Sequence, residues 1–174
     1  AGPEGVAYSP DGRRAFVSAK GSGEVSMIDT RINNVLRATI AGTNEAVPVQ
    51  GLVVSPDGRK LYVSGGSNGI LVLDAITNSI IDTIPINAGG GSPSNPQGVT
   101  TSPDGRVLFV SDNHEGSVVT VLNLSDKQVI TTVSDGANAV PRGVAANPDN
   151  REAYMLFSGS DEMKIYDVQL NAIT

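Results

Sequence analysis

The chain has 174 residues, a formal net charge of −6, one histidine and no cysteine. Without cysteine it cannot form disulfides, a thiol nucleophile, a c-type haem attachment or a cysteine-ligated metal centre. Its basic residues are scattered rather than clustered, which argues against nucleic-acid binding, because that affinity comes mainly from neutralising phosphates. No run of 18 or more apolar residues is present that could span a membrane as a helix.

The most regular feature is the tetrapeptide Ser-Pro-Asp-Gly, which occurs at residues 9–12, 55–58 and 102–105. A fourth copy with two substitutions reads Asn-Pro-Asp-Asn at residues 147–150. Ser suits the first position of a type I turn because its hydroxyl accepts a hydrogen bond from the backbone ahead, and Pro already has the φ that the second position needs. Gly, or Asn in its place, takes a left-handed conformation at the fourth position. We predict a structural role for the turn residues Asp11, Gly12, Asp57, Gly58, Asp104, Gly105, Asp149 and Asn150.

The turns lie 46, 47 and 45 residues apart, a period typical of a propeller or a solenoid. Around each turn lie short runs rich in β-branched and aromatic residues, bounded by Gly, Asn, Asp and Ser, without helical periodicity. Four strands in about 46 residues correspond to one propeller blade. The predicted strands are 5–8, 15–18, 25–29 and 35–40; 51–54, 61–64, 70–74 and 80–84; 98–101, 108–111, 119–123 and 129–133; and 143–146, 153–156 and 163–167.

These units resemble the YVTN family of β-propeller repeats. Tyr62-Val63-Ser64-Gly65 and Phe109-Val110-Ser111-Asp112 approximate the strand that names the family, whereas unit four reads Met155-Leu156-Phe157 at the same place. The resemblance implies an all-β propeller of four-stranded antiparallel blades and an extracytoplasmic protein: periplasmic, secreted or on a cell surface. We expect one β-propeller segment over residues 1–174, with units at 4–49, 50–96, 97–141 and 142–174, the last lacking most of its fourth strand.

The resemblance also separates two ends of each blade. The tetrapeptide turns, together with Asp29, Asp74, Asn123 and Asp167, fall at the hairpin end, where a short Asx side chain caps the next turn through backbone N–H groups. The irregular loops fall at the opposite end, called here the loop-rich face. Variable loops on a repeated scaffold are the usual site of recognition, although Gly- and Ser-rich loops also serve as plain solvated connections.

Four residues at the loop-rich face are candidates for ligand binding at the mouth of the central channel: Glu4, Gln50, Gln97 and Arg142. Each precedes the first-strand Gly of its unit. Arg142 suits a carboxylate or phosphate, and the alternative is that Glu4 and Arg142 pair with each other around a water-filled channel. Related propeller enzymes often place His at this position, so one histidine in the chain excludes a histidine-lined copper site and a His–His acid–base pair.

The loop residues Asp112, His114 and Glu115 are a second candidate on the same face. Oxygen ligands on such a loop could hold calcium, but their spacing does not match an EF-hand loop. A single His in a polar loop is more often an ordinary surface residue. We therefore predict no metal site and no cofactor.

Four units are fewer than the seven or so blades of similar proteins, which predicts an arc of a larger ring completed by further blades of a parent chain or by a second copy. The first functional hypothesis is a non-enzymatic binding or scaffolding propeller that recognises a protein or a small polar ligand through the loop-rich face. The alternative is part of a propeller enzyme or redox subunit, of lactonase, lyase or dehydrogenase type, whose catalytic residues lie outside these four blades.

Overall fold

The computed structural model describes residues 2–40, 49–65, 69–86, 96–113, 117–136 and 139–174. These residues form four antiparallel four-stranded sheets, each an up-and-down meander in chain order. The described part of the chain includes no helix that is long and apolar enough to cross a membrane. The strands are β1 Pro3–Tyr8, β2 Arg14–Ala19, β3 Glu24–Asp29, β4 Asn34–Ile40; β5 Val49–Val54, β6 Lys60–Gly65, β7 Ile70–Asp74, β8 Ile80–Ile84; β9 Pro96–Thr101, β10 Val107–Asp112, β11 Val118–Asn123, β12 Val129–Ser134; β13 Pro141–Ala146, β14 Glu152–Phe157, β15 Glu162–Asp167 and β16 Ala172–Ile173.

We call the four sheets blades one to four. They confirm the predicted all-β fold of four-stranded antiparallel propeller blades. Each blade starts at least one residue earlier than the sequence indicates, because β1, β5, β9 and β13 begin before the predicted unit boundaries. The fourth strand of blade four, β16, has only two residues. The chain divides into two compact units, Ala1–Ile86 with blades one and two, and Asn87–Thr174 with blades three and four.

The core of the first unit lies between blades one and two. Blade one contributes Phe16 and Met27, and blade two contributes Leu61 and Leu73 from the facing side. Along β3 buried and half-buried residues alternate, as the period of two in a strand requires. Full burial of one such side chain contributes roughly 1.5–3 kcal/mol to stability. The blades are therefore stabilised mainly by the packing of their apolar faces against each other.

The second unit has an equivalent core between blades three and four. Phe109 of blade three packs edge-on against Tyr166 of blade four, with ring centroids 5.8 Å apart and an interplanar angle of 79°. The two rings, and Met155 and Phe157 beside them, are almost fully buried. An edge-to-face pair of this kind is a favoured aromatic geometry.

The tetrapeptide turns have the backbone conformation that their sequence predicts. Gly12, Gly58 and Gly105 have φ of 68°, 71° and 71°, and Asn150 has φ of 63°. In each turn the backbone N–H of this residue donates to the carbonyl of the first turn residue at 2.8–3.0 Å. Left-handed φ strongly disfavours branched side chains and is tolerated by Gly and, less well, by Asn.

A side-chain network closes each Ser-Pro-Asp-Gly turn. In the first copy the Ser9 hydroxyl donates to Asp11 at 2.6 Å and accepts the backbone N–H of Arg14 at 3.0 Å. The copies at Ser55 and Ser102 repeat these contacts. The hydrogen bond from Ser9 is the main cause that lowers the pKa of Asp11. The Ser and Asp of the motif therefore act together to fix the hairpin between the first and second strands.

The fourth turn makes an additional contact with its neighbour. The Asn150 amide donates to the carboxylate of Asp104 at 2.9 Å, which joins the turns of blades three and four. In the first unit the equivalent turns are also near each other, because an added Cβ on Gly58 would lie 3.5 Å from the Pro10 side chain. The replacement of Gly by Asn in the fourth turn thus provides a hydrogen bond between blades as well as tolerating the left-handed backbone.

The predicted Asx caps are also confirmed. Asp74 accepts the backbone N–H groups of Ile76 and Thr77 at 2.9 and 2.7 Å, and Asp167 does the same for Gln169 and Leu170. Asp29 caps Arg31 and, in blade three, Asn123 caps Ser125. Four residues after each Asx the backbone is left-handed, a feature not anticipated from the sequence, at Asn33, Asn78, Lys127 and Asn171.

Replacing Gly105 tests the turn geometry. Gly105→Val places a β-branched residue at left-handed φ and is expected to lower the free energy of unfolding by about 1–3 kcal/mol. Gly105→Asn should cost much less, because Asn150 already occupies the equivalent position. Chemical denaturation of both variants measures this difference, and a Val variant as stable as the parent would contradict the assigned turn.

Asp29 should make stability depend on acid pH. Its bonds with the Arg31 guanidinium and then with the Arg31 backbone lower the pKa of Asp29 to about 2. Because the folded pKa lies below the unfolded value, near 3.9, this contribution is complete above about pH 4 and is lost as the pH falls through about 2. Melting temperatures measured from pH 5 to about 2 should therefore fall less steeply for Asp29→Asn than for the parent. Parallel curves for the two proteins would exclude this role of the carboxylate.

Candidate binding site at the first-strand bulges

The four channel-mouth candidates lie at irregularities of the first strand of each blade. Pro3 pairs with Ala19 but Gly5 pairs with Ser18, so Glu4 is an extra residue in β1. Gln97 and Arg142 are extra residues in β9 and β13 in the same way, and the register of β5 shifts between Val49 and Leu52, on either side of Gln50. A β-bulge changes the direction of a side chain and is common next to functional sites.

A serine of the second strand holds the bulge in three blades. The backbone N–H of Gly5 donates to the Ser18 hydroxyl at 3.0 Å. The corresponding distances are 2.8 Å from Gly51 to Ser64 and 2.8 Å from Gly98 to Ser111. The serine side chains thus satisfy a backbone donor next to each bulge.

The glycine beside the bulge also lets the next blade approach. In the first unit the Ser18 hydroxyl donates to the backbone carbonyl of Gln50, in blade two. A Cβ added to Gly5 would lie 2.6 Å from that carbonyl oxygen, closer than side chains tolerate. In the second unit a Cβ on Gly98 would meet the carbonyl of Arg142 at 3.6 Å and the Ser111 hydroxyl at 2.7 Å. Glycine is therefore required at position 5, where the backbone of blade two comes close. At position 98 the close atom belongs to the Ser111 side chain, and the Arg142 carbonyl lies at ordinary contact distance.

Blade four departs from this pattern. Leu156 stands where the other blades have the serine and pairs with Gly143. A Cβ added to Gly143 would meet nothing within 4 Å. The Gly-Ser hydrogen bond is therefore a feature of blades one to three.

The side chains at the four bulges differ in exposure. Glu4 and Arg142 are exposed, Gln97 is half-buried, and Gln50 is 7% exposed. The Arg142 Nε donates to the Ser158 hydroxyl at 3.2 Å, and that hydroxyl donates to the carbonyl of Val140. Arg142 is therefore oriented by the loop between β14 and β15, and its guanidinium presents a cationic fork. Gln50, in contrast, offers little side-chain surface to a ligand. Glu4 and Arg142 belong to different compact units, and their mutual pairing stays a prediction.

The second candidate cluster is only partly within the described residues. Asp112 does not lie in the loop: it is the last residue of β10, pairs with Val118, and is 2% exposed. His114 and Glu115 lie outside the described residues. Among the residues that the structure describes, no three His, Asp or Glu side chains group together in a way that could hold a metal ion.

Most of the predicted recognition loops lie outside the described residues as well. The segments 41–48, 66–68, 87–95, 114–116 and 137–138, which the sequence predicts to be in these loops, lie outside the described residues. Of the loop-rich face, the structure describes the first-strand bulges and the β2–β3 and β14–β15 connections. In the sequence, three of the bulges are marked by Pro-x-Gly, at Pro3, Pro96 and Pro141. In blades one and three a Ser follows 13 residues after the Gly. This serine resembles any other strand residue, so the sequence does not predict its role.

Comparison with known proteins supports the fold and does not extend beyond it. No protein family model and no curated protein matches the chain. Among solved structures it is similar to hydrazine synthase of Kuenenia stuttgartiensis, with a TM-score of 0.84 and 22% sequence identity. The match covers 99% of this chain and 48% of that one, so this chain spans about half the length of its structural relative. Because 1431 solved chains match and such folds carry many functions, this likeness establishes a propeller fold alone.

The bulge glycines provide a matched pair of substitutions. Gly5→Ala forces a Cβ against the Gln50 carbonyl and should cost about 1–3 kcal/mol of unfolding free energy. Gly143→Ala places the same methyl group in open space and should change stability by less than about 0.5 kcal/mol. Urea denaturation of the two variants compares them directly, and equal stability would mean that blade two does not approach blade one as closely as described.

Proposed function

We propose that residues 1–174 are four blades of a YVTN-type, extracytoplasmic β-propeller that binds a ligand or partner at its loop-rich face and has no catalytic activity of its own. The observation that carries this proposal is the contrast between the two blade ends. The hairpin end repeats nearly the same residues in every blade, whereas the bulges carry Glu, Gln, Gln and Arg on one repeated backbone feature. Variation on a uniform scaffold is typical of recognition surfaces.

Arg142 gives the proposed site its chemical preference. Its guanidinium is exposed and is held through Nε by Ser158. A positioned guanidinium binds carboxylate and phosphate groups through paired, charge-assisted hydrogen bonds. The favoured ligand is therefore a small polar molecule that carries an anionic group, and a protein partner would present an acidic side chain to the same residue. The net charge of −6 makes this local contact, rather than general attraction, the source of affinity.

A second candidate is a part in a propeller enzyme or redox subunit. The similarity to a structure named hydrazine synthase favours it, although that likeness carries no residue of a reaction centre to this chain. In this case the chemistry lies outside the four blades, and a longer parent polypeptide would have His before the first-strand Gly of other blades or a Cys-x-x-Cys-His haem motif. Turnover of a lactone, amine or glycosidic substrate by the complete protein would replace the first candidate with this one.

The binding proposal predicts the effect of removing Arg142. With citrate and inorganic phosphate as anionic probes, calorimetry should show affinity for citrate reduced about tenfold in Arg142→Ala, since a hydrogen bond to a charged group contributes roughly 1.5–3 kcal/mol. Arg142→Lys should be intermediate, because it keeps the charge and loses the fork.

Arg151→Ala is the matched control. Arg151 is an exposed arginine of the same blade, at the hairpin end, so both variants change the net charge equally. Citrate affinity should stay within about twofold of the parent in Arg151→Ala. An equal loss in both variants would show that only overall charge matters, and an unchanged affinity in Arg142→Ala would remove Arg142 from the site.

A further inference from the structure

We propose that the outer face of blade four binds the outer face of blade one of a second copy of this chain. The outer face of blade four consists of Gly143, Ala145, Tyr154, Leu156, Met163 and Ile165. The outer face of blade one consists of Val6, Tyr8, Ala15, Val17, Ser26 and Ile28. Residues within each set are cross-strand partners, and such partners share one side of a sheet.

The junction between blades one and two shows what these faces do when they are covered. The blade-one side of that junction has two rows, Gly5-Ser18-Val25 and Ala7-Phe16-Met27. The blade-two side has Leu52-Val63-Leu71 and Val54-Leu61-Leu73. The first rows meet, because a Cβ on Gly5 would lie 3.5 Å from the Leu52 side chain. Except for Gly5 and the partly buried Ala7, these residues are at most 7% exposed.

Two residues on each outer face are apolar and more than half exposed. On blade four, Leu156 is 51% and Met163 is 53% exposed, at the positions of the buried Ser18 and Val25. On blade one, Val6 is 62% exposed at the position of Leu52, and Tyr8 is 61% exposed at the position of Val54. An apolar sheet face of this extent is the signature of an interaction surface.

In one row of cross-strand partners, the two outer faces differ in side-chain size in opposite directions. In the row that meets its partner row, blade four is larger than blade one, with Leu156 for Ser18 and Met163 for Val25. The opposing row on blade one is correspondingly smaller than on blade two, with Val6 for Leu52 and Ser26 for Leu71. The added volume on one face therefore corresponds to space on the other, which is the condition for dense packing. This match between the two faces of one chain is the reason for choosing a second copy as the occupant.

The backbone and the polar groups of blade four allow this contact. At Gly5, the Gln50 carbonyl of blade two occupies the space that a side chain would need. The equivalent space at Gly143 is open, so the bulge of the partner's β1 can approach there. The Tyr154 hydroxyl already donates to Glu152 at 2.8 Å, and burial of its ring does not leave this group without a partner. The contact is head-to-tail, so each copy uses two different faces.

Analytical ultracentrifugation of the 174-residue chain tests the proposal. The parent should associate reversibly at concentrations up to about 100 μM, a range that includes weak protein–protein affinities. Leu156→Arg on blade four and Val6→Arg on blade one should each lower the association constant at least about tenfold, because each places a charge in an apolar contact. A mixture of the two variants should form a one-to-one complex, since the first keeps the blade-one face and the second keeps the blade-four face.

Leu36→Arg is the control, because Leu36 is a comparably exposed apolar residue, at 48%, on the edge strand β4. It is not among the residues that define the outer face of blade one. The Leu36→Arg variant should associate like the parent, and circular dichroism with thermal melting confirms that all three variants fold. A monomeric parent at the highest concentration, a mixture that stays monomeric, or an equal loss in Leu36→Arg would each overturn the proposal. None of these measurements depends on Arg142 or on an anionic ligand, so this proposal and the proposed function can fail separately.

Discussion

The close approach of one blade's backbone to the next is the constraint on which the rest of the structure depends. At the junction of blades one and two, the Gln50 carbonyl occupies the space that any side chain at position 5 would need. The approach leaves the Gly5 N–H beside a bulge, and the Ser18 hydroxyl both accepts that N–H and donates to the Gln50 carbonyl. One glycine and one serine thus connect two sheets whose faces supply most of the hydrophobic burial. Blade four, with Leu156 and an open Gly143, is the blade that does not follow this arrangement.

This constraint gives the two ends of each blade different tasks. At the hairpin end, short polar side chains bond to their own backbone, as Ser9 and Asp11 do, and leave little capacity for a ligand. At the bulge end, a glycine and a serine hold the backbone in blades one to three. The residue type of the extra residue differs among the blades. Arg142 combines exposure with a fixed orientation and is therefore the residue best suited to recognition among the four. The same blade construction, without a covering neighbour on Leu156 and Met163, leads to the proposed self-association.

The sequence predicts the fold because its signals are local. A Pro followed by Asp and Gly sets a turn, and an Asx at the end of the third strand caps the next one, whatever the remainder of the chain does. What the sequence does not predict depends on the neighbouring blade. Gln50 and Arg142 hold equivalent positions, yet one is buried and the other exposed. Asn150 looks like a tolerated substitute for Gly, and its bond to Asp104 becomes evident only when two blades are side by side. The sequence predicts Asp112 in a loop, but pairing with Val118 keeps it in β10.

Amide hydrogen exchange at Gly51 tests the central role of the serine–bulge contact most directly. The Gly51 N–H donates to the Ser64 hydroxyl at 2.8 Å, so it should exchange slowly in the parent. In Ser64→Ala the same amide loses its acceptor, and its exchange should accelerate at least about tenfold, while amides in the middle of β6 and β7 change little. Exchange of Gly51 at the same rate in both proteins would contradict the account, because the serine would then not be what holds the bulge.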